Sequence, residues 1–259
     1  MNKKLLGVII AVAIIVVLII VLWVTFTIRN ITLDTTSNLK LTDEEIQELV
    51  NDSGIKLKSS IFSVDEKIVI QNIEKSHPSL KVISVERKFP NTVCVNITNR
   101  TPVYSVELAT GARAILDREL KIVDVVESDA EIDYITRVNG YTISGTIQKG
   151  GMVTGISFLK EITAEAEKMS FVNQRMSSFI PTIEYLKADT SKEDEVSKIL
   201  LVTKTGVSLV IREDVGSMGK YFNYAYTKYY TELTEHQRSE GYVYLTEDNV
   251  WTWSPTLDN

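Results

Sequence analysis

Hydrophobic positions along the chain fall into three regimes. Residues 5–28 (LLGVIIAVAIIVVLIIVLWVTFTI) contain no charge. At about 1.5 Å per residue they predict a helix of roughly 36 Å, enough to cross a ~30 Å hydrocarbon core. From Val24 to Leu33 the pattern turns β-prone. Thr42 followed by Glu45 predicts a capped helix start, with Ile46, Leu49 and Val50 at helical spacing and Gly54 as its stop. Ser63 followed by Glu66 predicts a second capped helix carrying Ile68, Ile70 and Ile73 and ending at His77 and Pro78. Leu80 to Phe89 and Thr92 to Thr98 alternate as strands around a Pro90–Asn91 turn. Val93, Val95 and Ile97 share one strand face, and Cys94 points away from it. Residues 29–100 therefore read β-α-α-β-β, with a core of Ile46, Leu49, Ile70, Ile73, Val82, Val93, Val95 and Ile97.

From residue 101 onward the periods shorten. Short strands are expected at 103–108, 112–116, 122–126 and 135–138, separated by turn signals. Asp117, Arg118 and Glu119 mark one such turn. Ile156, Leu159, Ile162, Ala166, Met169 and Val172 form a helical stripe, and 179–186 reads as a strand. Residues 199–202 and 207–211 predict a hairpin through Lys204, Thr205 and Gly206. Met218 to Leu233 reads as a tyrosine-rich amphipathic helix. Residues 241–246 and 250–253 make a final β pair. The expected fold class is α+β: an N-terminal transmembrane helix, a small β-α-α-β-β domain, then a mainly antiparallel β domain with flanking helices. The boundaries are 1–4 (stub), 5–28 (helix), 29–100, 101–255, and a tail at 256–259.

Charge sharpens the first regime. The chain carries 28 basic and 34 acidic residues; without Lys3 and Lys4, the part from Arg29 onward carries about −8. An uncharged run this long excludes a purely soluble protein, and the lack of a small-x-small cleavage site argues against a removed leader. Lys3 and Lys4 keep the short side cytoplasmic and place residues 29–259 outside. The single cysteine, Cys94, allows no internal disulfide, which in an extracytoplasmic protein points to bacteria. No clustered basic surface suggests a nucleic-acid partner.

Candidate chemistry is sparse. His77 and His236 are the only histidines, and neither has a second metal ligand three or four residues away. No phosphate-binding loop, paired catalytic carboxylates or nucleophile with a nearby base can be assembled, so no catalytic, cofactor or metal residue is expected. What remains is an aromatic surface. Tyr242 and Tyr244 share one face of the penultimate strand, and Trp251 and Trp253 share one face of the last. The preceding helix adds Tyr221, Tyr224, Tyr226, Tyr229 and Tyr230. Such residues make either a core layer or a partner hot spot, and periodicity divides the two evenly.

Several motifs in their order resemble the FtsQ/DivIB family of bacterial cell-division proteins. They are the β-α-α-β-β block at 29–100, the run Val85-Glu-Arg-Lys-Phe-Pro-Asn-Thr92, the exit Arg100-Thr-Pro-Val103, Ile115-Leu-Asp117, Gly206-Val-Ser-Leu, Lys220, Tyr242-Val-Tyr-Leu and Trp253-Ser-Pro255. The resemblance implies a POTRA domain followed by a β domain, in a non-enzymatic, single-pass scaffold of the divisome at the division septum. It further implies FtsL-like and FtsB/DivIC-like coiled-coil membrane partners and support of an FtsW/FtsI-type septal peptidoglycan synthase. Partner capture would use Lys220, Tyr224, Tyr242, Tyr244, Thr246, Trp251 and Trp253, with a partner segment added to the last strand. Two other readings stand beside it: a subunit of a secretion or sporulation complex, and an anchored envelope enzyme.

Overall fold

The computed structural model describes residues 3–36, 39–127, 134–144, 147–169, 175–189, 191, 195–246 and 249–257, with only the backbone of 3–8. Met1 and Asn2 of the expected stub, Asp258 and Asn259 of the expected tail, and Val172 of the helical stripe lie outside the described residues. The chain divides into two compact units, Met1–Arg100 and Thr101–Asn259.

The first unit begins with α1 (Lys3–Thr25), 23 residues or about 35 Å of helix. Its large apolar side chains from Ile9 to Val24 are 44–67% exposed on every side. Among the described residues, which for the side chains of α1 begin at residue 9, no helix is long and apolar enough to cross a membrane.

After α1 come β1 (Asn30–Thr35), α2 (Asp43–Asp52), a 3-10 turn (Ile61–Ser63), α3 (Glu66–Ser76), β2 (Leu80–Lys88) and β3 (Thr92–Asn99). The sheet order is β1-β3-β2, with β1 parallel and β2 antiparallel to the central β3. The capping box at Thr42 forms in both halves: its hydroxyl accepts the Glu45 amide, and the Glu45 carboxylate accepts the Thr42 amide. The box expected at Ser63 does not form. Ser63 closes the 3-10 turn, and Asp65 caps α3 instead by accepting the amides of Lys67 and Ile68. The buried face of α3 is correspondingly set by Val69 and Ile73. Ile68 is 54% exposed, and Ile70 packs only at the margin.

Leu49, Ile73, Val82, Val93, Val95 and Ile97 fill the core together with Ile28, Ile61, Leu80 and Val85, whereas Ile46 is only half-buried. A buried ion pair clamps the far end. Arg100 meets Glu74 at 2.7 Å and donates from Nε to the Leu80 carbonyl, while Glu74 accepts the Val82 amide. Cys94 lies on the other sheet face, where its thiol donates to Asp34 at 3.1 Å. That bond, and then Lys88, holds the Asp34 carboxyl below the usual range.

The second unit is built on one nine-stranded sheet of order β12-β11-β10-β9-β8-β7-β4-β5-β6. Its strands are β4 (Pro102–Leu108), β5 (Arg113–Asp117), β6 (Ile122–Val126), β7 (Thr136–Ile143), β8 (Thr182–Leu186), β9 (Lys198–Val202), β10 (Ser208–Arg212), β11 (Tyr242–Leu245) and β12 (Trp251–Ser254). Five neighbouring pairs are antiparallel and three are parallel, so the sheet is mixed. Parallel neighbours need crossovers, and helices supply two of them. One is α4 (Phe158–Lys168), between β7 and β8; the other is α5 (Met218–Thr231) with α6 (Glu235–Ser239), between β10 and β11.

Leu159 and Ile162 of α4, with Phe222 and Ala225 of α5, bury against the inward side chains of the sheet. Tyr104 ties this layer down: its hydroxyl donates to the Leu159 carbonyl and lies 2.5 Å from Thr163 Oγ1. At the β5–β6 turn, Asp117 accepts the amides of Glu119 and Lys121, and Leu120 takes the left-handed φ of 63°.

Candidate partner-binding site

The mixed topology decides which strand is left at the boundary. β11 joins β10 in parallel, through Ser208–Tyr242 and Leu209–Val243, and β12 then folds back antiparallel on β11. β12 is therefore the last strand of the sheet. The Thr246 amide donates to the Val250 carbonyl to close the hairpin. Hydrogen-bonded and non-bonded pairs alternate along an antiparallel ladder. Tyr244–Thr252 and Tyr242–Ser254 are consequently the bonded pairs, and Trp251 and Trp253 turn their own amides and carbonyls outward. An outward row of main-chain donors and acceptors is a template for another strand.

Register also separates the aromatics. Trp251 lies opposite Leu245 and Trp253 opposite Val243, and directly opposed residues share a face. Both indoles therefore lie on the helix-covered face. Trp251 packs on Tyr221 with ring centroids 6.2 Å apart, and Trp253 Nε1 donates to the Glu240 carbonyl at 3.0 Å. Tyr242, Tyr244 and Thr246 fall on the opposite face, as alternation along β11 requires. A cleft of about 320 Å³ takes Trp251 from one set and Tyr244 and Thr246 from the other, with Val210, Tyr221 and Leu245 also lining it; Tyr242 and Trp253 lie outside it.

The structure does not bring every expected residue there. Lys220 and Tyr224, one helical turn apart, stack with Nζ 5.6 Å from the ring centroid. They line a separate cleft of about 520 Å³ with Glu161, Glu165 and Asn223. Tyr221, their neighbour on α5, is the helix residue that reaches β12. Tyr226 and Tyr229 belong to packing instead: both rings lie edge-on to Phe179, at 5.3 and 5.2 Å. Burial, then the neighbouring Tyr230, pushes the Tyr226 phenol up to about 12.

One polar cluster escaped linear reading. Glu48 and Asp52 of α2 converge with His77 at the end of α3, with ligand atoms within 4.8 Å of one another. His77 Nε2 and Asp52 Oδ2 are 2.9 Å apart. Local spacing around His77 could not show this, because the acids come from another helix.

Comparison with known proteins adds two findings. Residues 26–100 match the family model of the POTRA domain, FtsQ-type. A cell division protein FtsQ from Corynebacterium glutamicum is 28% identical over 117 residues, which cover 44% of this chain and 51% of that protein. The chain thus spans about half the length of this relative.

Proposed function

We propose that this member of the FtsQ/DivIB family is a non-enzymatic, membrane-anchored scaffold of the division machinery that captures its partner by strand addition at β12. The observation that carries the reading is the outward main chain of Trp251 and Trp253 on the last strand, beside a cleft lined by Tyr221, Tyr244 and Trp251. Added main-chain pairing supplies affinity, and alternate side chains entering the cleft supply specificity. The partner class is a coiled-coil membrane protein of FtsL or FtsB/DivIC type, whose membrane-proximal segment extends along the edge. Through it the scaffold supports an FtsW/FtsI-type septal synthase.

Anchoring follows from α1. From residue 9 onward α1 exposes its large apolar side chains on every side, with no soluble core to bury them, and the charge-free run 5–28, roughly 36 Å as a helix, matches the thickness of a bilayer core. In this reading Lys3 and Lys4, the first residues of α1, remain cytoplasmic, and both folded units lie outside the cell membrane, at the septum.

The test separates main chain from side chain. Trp251→Ala keeps the outward amide, whereas Trp251→Pro removes it without breaking a bond to β11. Retrieval of the coiled-coil partner from detergent-solubilised membranes should fall with Trp251→Ala and vanish with Trp251→Pro, and a fluorescent fusion of the proline variant should lose septal enrichment. Undiminished retrieval by a folded Trp251→Pro protein would rule out strand addition, and uniform placement of the unmodified fusion would favour another envelope complex.

A further inference from the structure

The end of the POTRA domain nearest α1 carries an unpartnered aromatic cluster. Phe26, Phe62 and Phe89 are in mutual ring contact, with centroids 5.3, 5.6 and 5.9 Å apart. Phe26 is half-buried and packs against the core of the unit, but contact has not buried the other two: Phe62 is 61% and Phe89 58% exposed, and Leu57 is 56% exposed on the same loop as Phe62. Phe62, Phe89 and Leu57 thus expose apolar surface that folding otherwise removes, and a patch of this kind marks an interaction site.

Chain continuity names what lies against it. α1 ends at Thr25, and Phe26 is the next residue. Residues 26–28 are then pinned to the loop that carries the other groups: the Ile61 amide donates to the Phe26 carbonyl, the Ile28 amide to the Ser59 carbonyl, and the Lys58 amide to the Ile28 carbonyl. The amides of Arg29 and Asn30 both donate to the Asn91 carbonyl, which holds the turn bearing Phe89. These bonds leave the cluster no freedom to move away from the point where α1 ends. Exposed Arg29, Lys56 and Lys58 belong to the same two segments as Phe26 and Phe62, and Lys88, beside Phe89 in the chain, pairs with Asp34. Exposed aromatic side chains in segments that also carry arginine and lysine suit the headgroup boundary of an anionic membrane, where rings enter the acyl edge and cations meet phosphates.

We infer that Phe26, Phe62 and Phe89, with Leu57, form a membrane-contact surface that seats the POTRA domain on the outer leaflet of an anionic bilayer. The inference rests on the anchoring reading of α1. Its consequence is orientation: the domain is held at two places, covalently by α1 and by insertion of its own loops. The Leu80 end of β2 then points away from the membrane, roughly 26 Å from Lys88 at about 3.3 Å per residue.

The test uses the full chain with Cys94→Ser, reconstituted into phosphatidylglycerol-containing vesicles that carry nitroxide lipids. An environment-sensitive fluorophore is placed by Phe62→Cys, Phe89→Cys or, at the far end, Lys75→Cys. Flotation reports anchoring, and quenching reports depth. Vesicle-bound protein quenched several-fold at 62 and 89 but not at 75 supports the surface. Vesicle-bound protein with labels at 62 and 89 no more quenched than at 75 overturns it and leaves the anchor intact. Protein that does not float with the vesicles overturns the anchor and this inference together.

Discussion

The two faces of the β11–β12 hairpin give unequal consequences for two similar truncations. Tyr244→Ala removes a ring from the face opposite the helices, where it borders the cleft. Trp253→Ala removes an indole that packs against the core and donates to the Glu240 carbonyl. A tryptophan side chain buries about 200 Å² at most; half of that, at ~25 cal/mol per Å², gives ~2.5 kcal/mol, and the lost hydrogen bond adds ~1. Trp253→Ala should therefore destabilise the second unit by about 3.5 kcal/mol, whereas Tyr244→Ala should cost under ~1 kcal/mol. Affinity should behave otherwise. Loss of a well-packed aromatic at a protein interface costs about 2 kcal/mol or more, roughly thirtyfold, so Tyr244→Ala should weaken partner binding at nearly unchanged stability. Urea unfolding of residues 29–259 and titration calorimetry with the extracytoplasmic segment of the proposed coiled-coil partner measure both quantities on the same samples. Equal destabilisation by the two variants would refute the assignment of faces. A folded Tyr244→Ala protein with undiminished affinity would remove that face from the interface.

In the first unit, Arg100→Ala takes the buried cation from the Glu74 carboxylate and a donor from the Leu80 carbonyl; the expected loss is about 3–5 kcal/mol, most of the stability of so small a domain, read as a lost cooperative melt of residues 26–100 by circular dichroism. Gly206→Ala should cost about 2–3 kcal/mol in urea unfolding, because φ is +120° and the new Cβ would lie 2.1 Å from the Ser239 carbonyl oxygen. Burial raises the phenols of Tyr104 and Tyr226, the latter to about 12. An unfolded tyrosine ionises near 10, so the folded state retains protons that the unfolded chain releases. The second unit should keep this contribution below pH ~10 and lose it as pH rises towards 12; a urea midpoint equal at pH 9 and 11 would contradict that.

Local signals in the amino-acid sequence determined much of this protein. The charge-free run sets α1, the threonine–glutamate pair starts α2, and two-residue alternation places Val93, Val95 and Ile97 in the core with Cys94 on the other side. Each depends only on neighbours within one turn or one strand, so spacing suffices. The Ser63 box failed at the same scale, because two helix starts two residues apart competed, and packing of Val69 and Ile73 selected Asp65. The candidate site was legible only as an inventory of aromatics. Which of them line the cleft depends on the parallel join of β11 to β10 and on the register that puts Trp253 opposite Val243. Both are long-range pairings, decided by how two crossover helices cover the sheet. The same holds for the cluster of Phe26, Phe62 and Phe89. Its members lie as many as 63 positions apart in the chain, and only backbone bonds between three separate segments bring them to one surface.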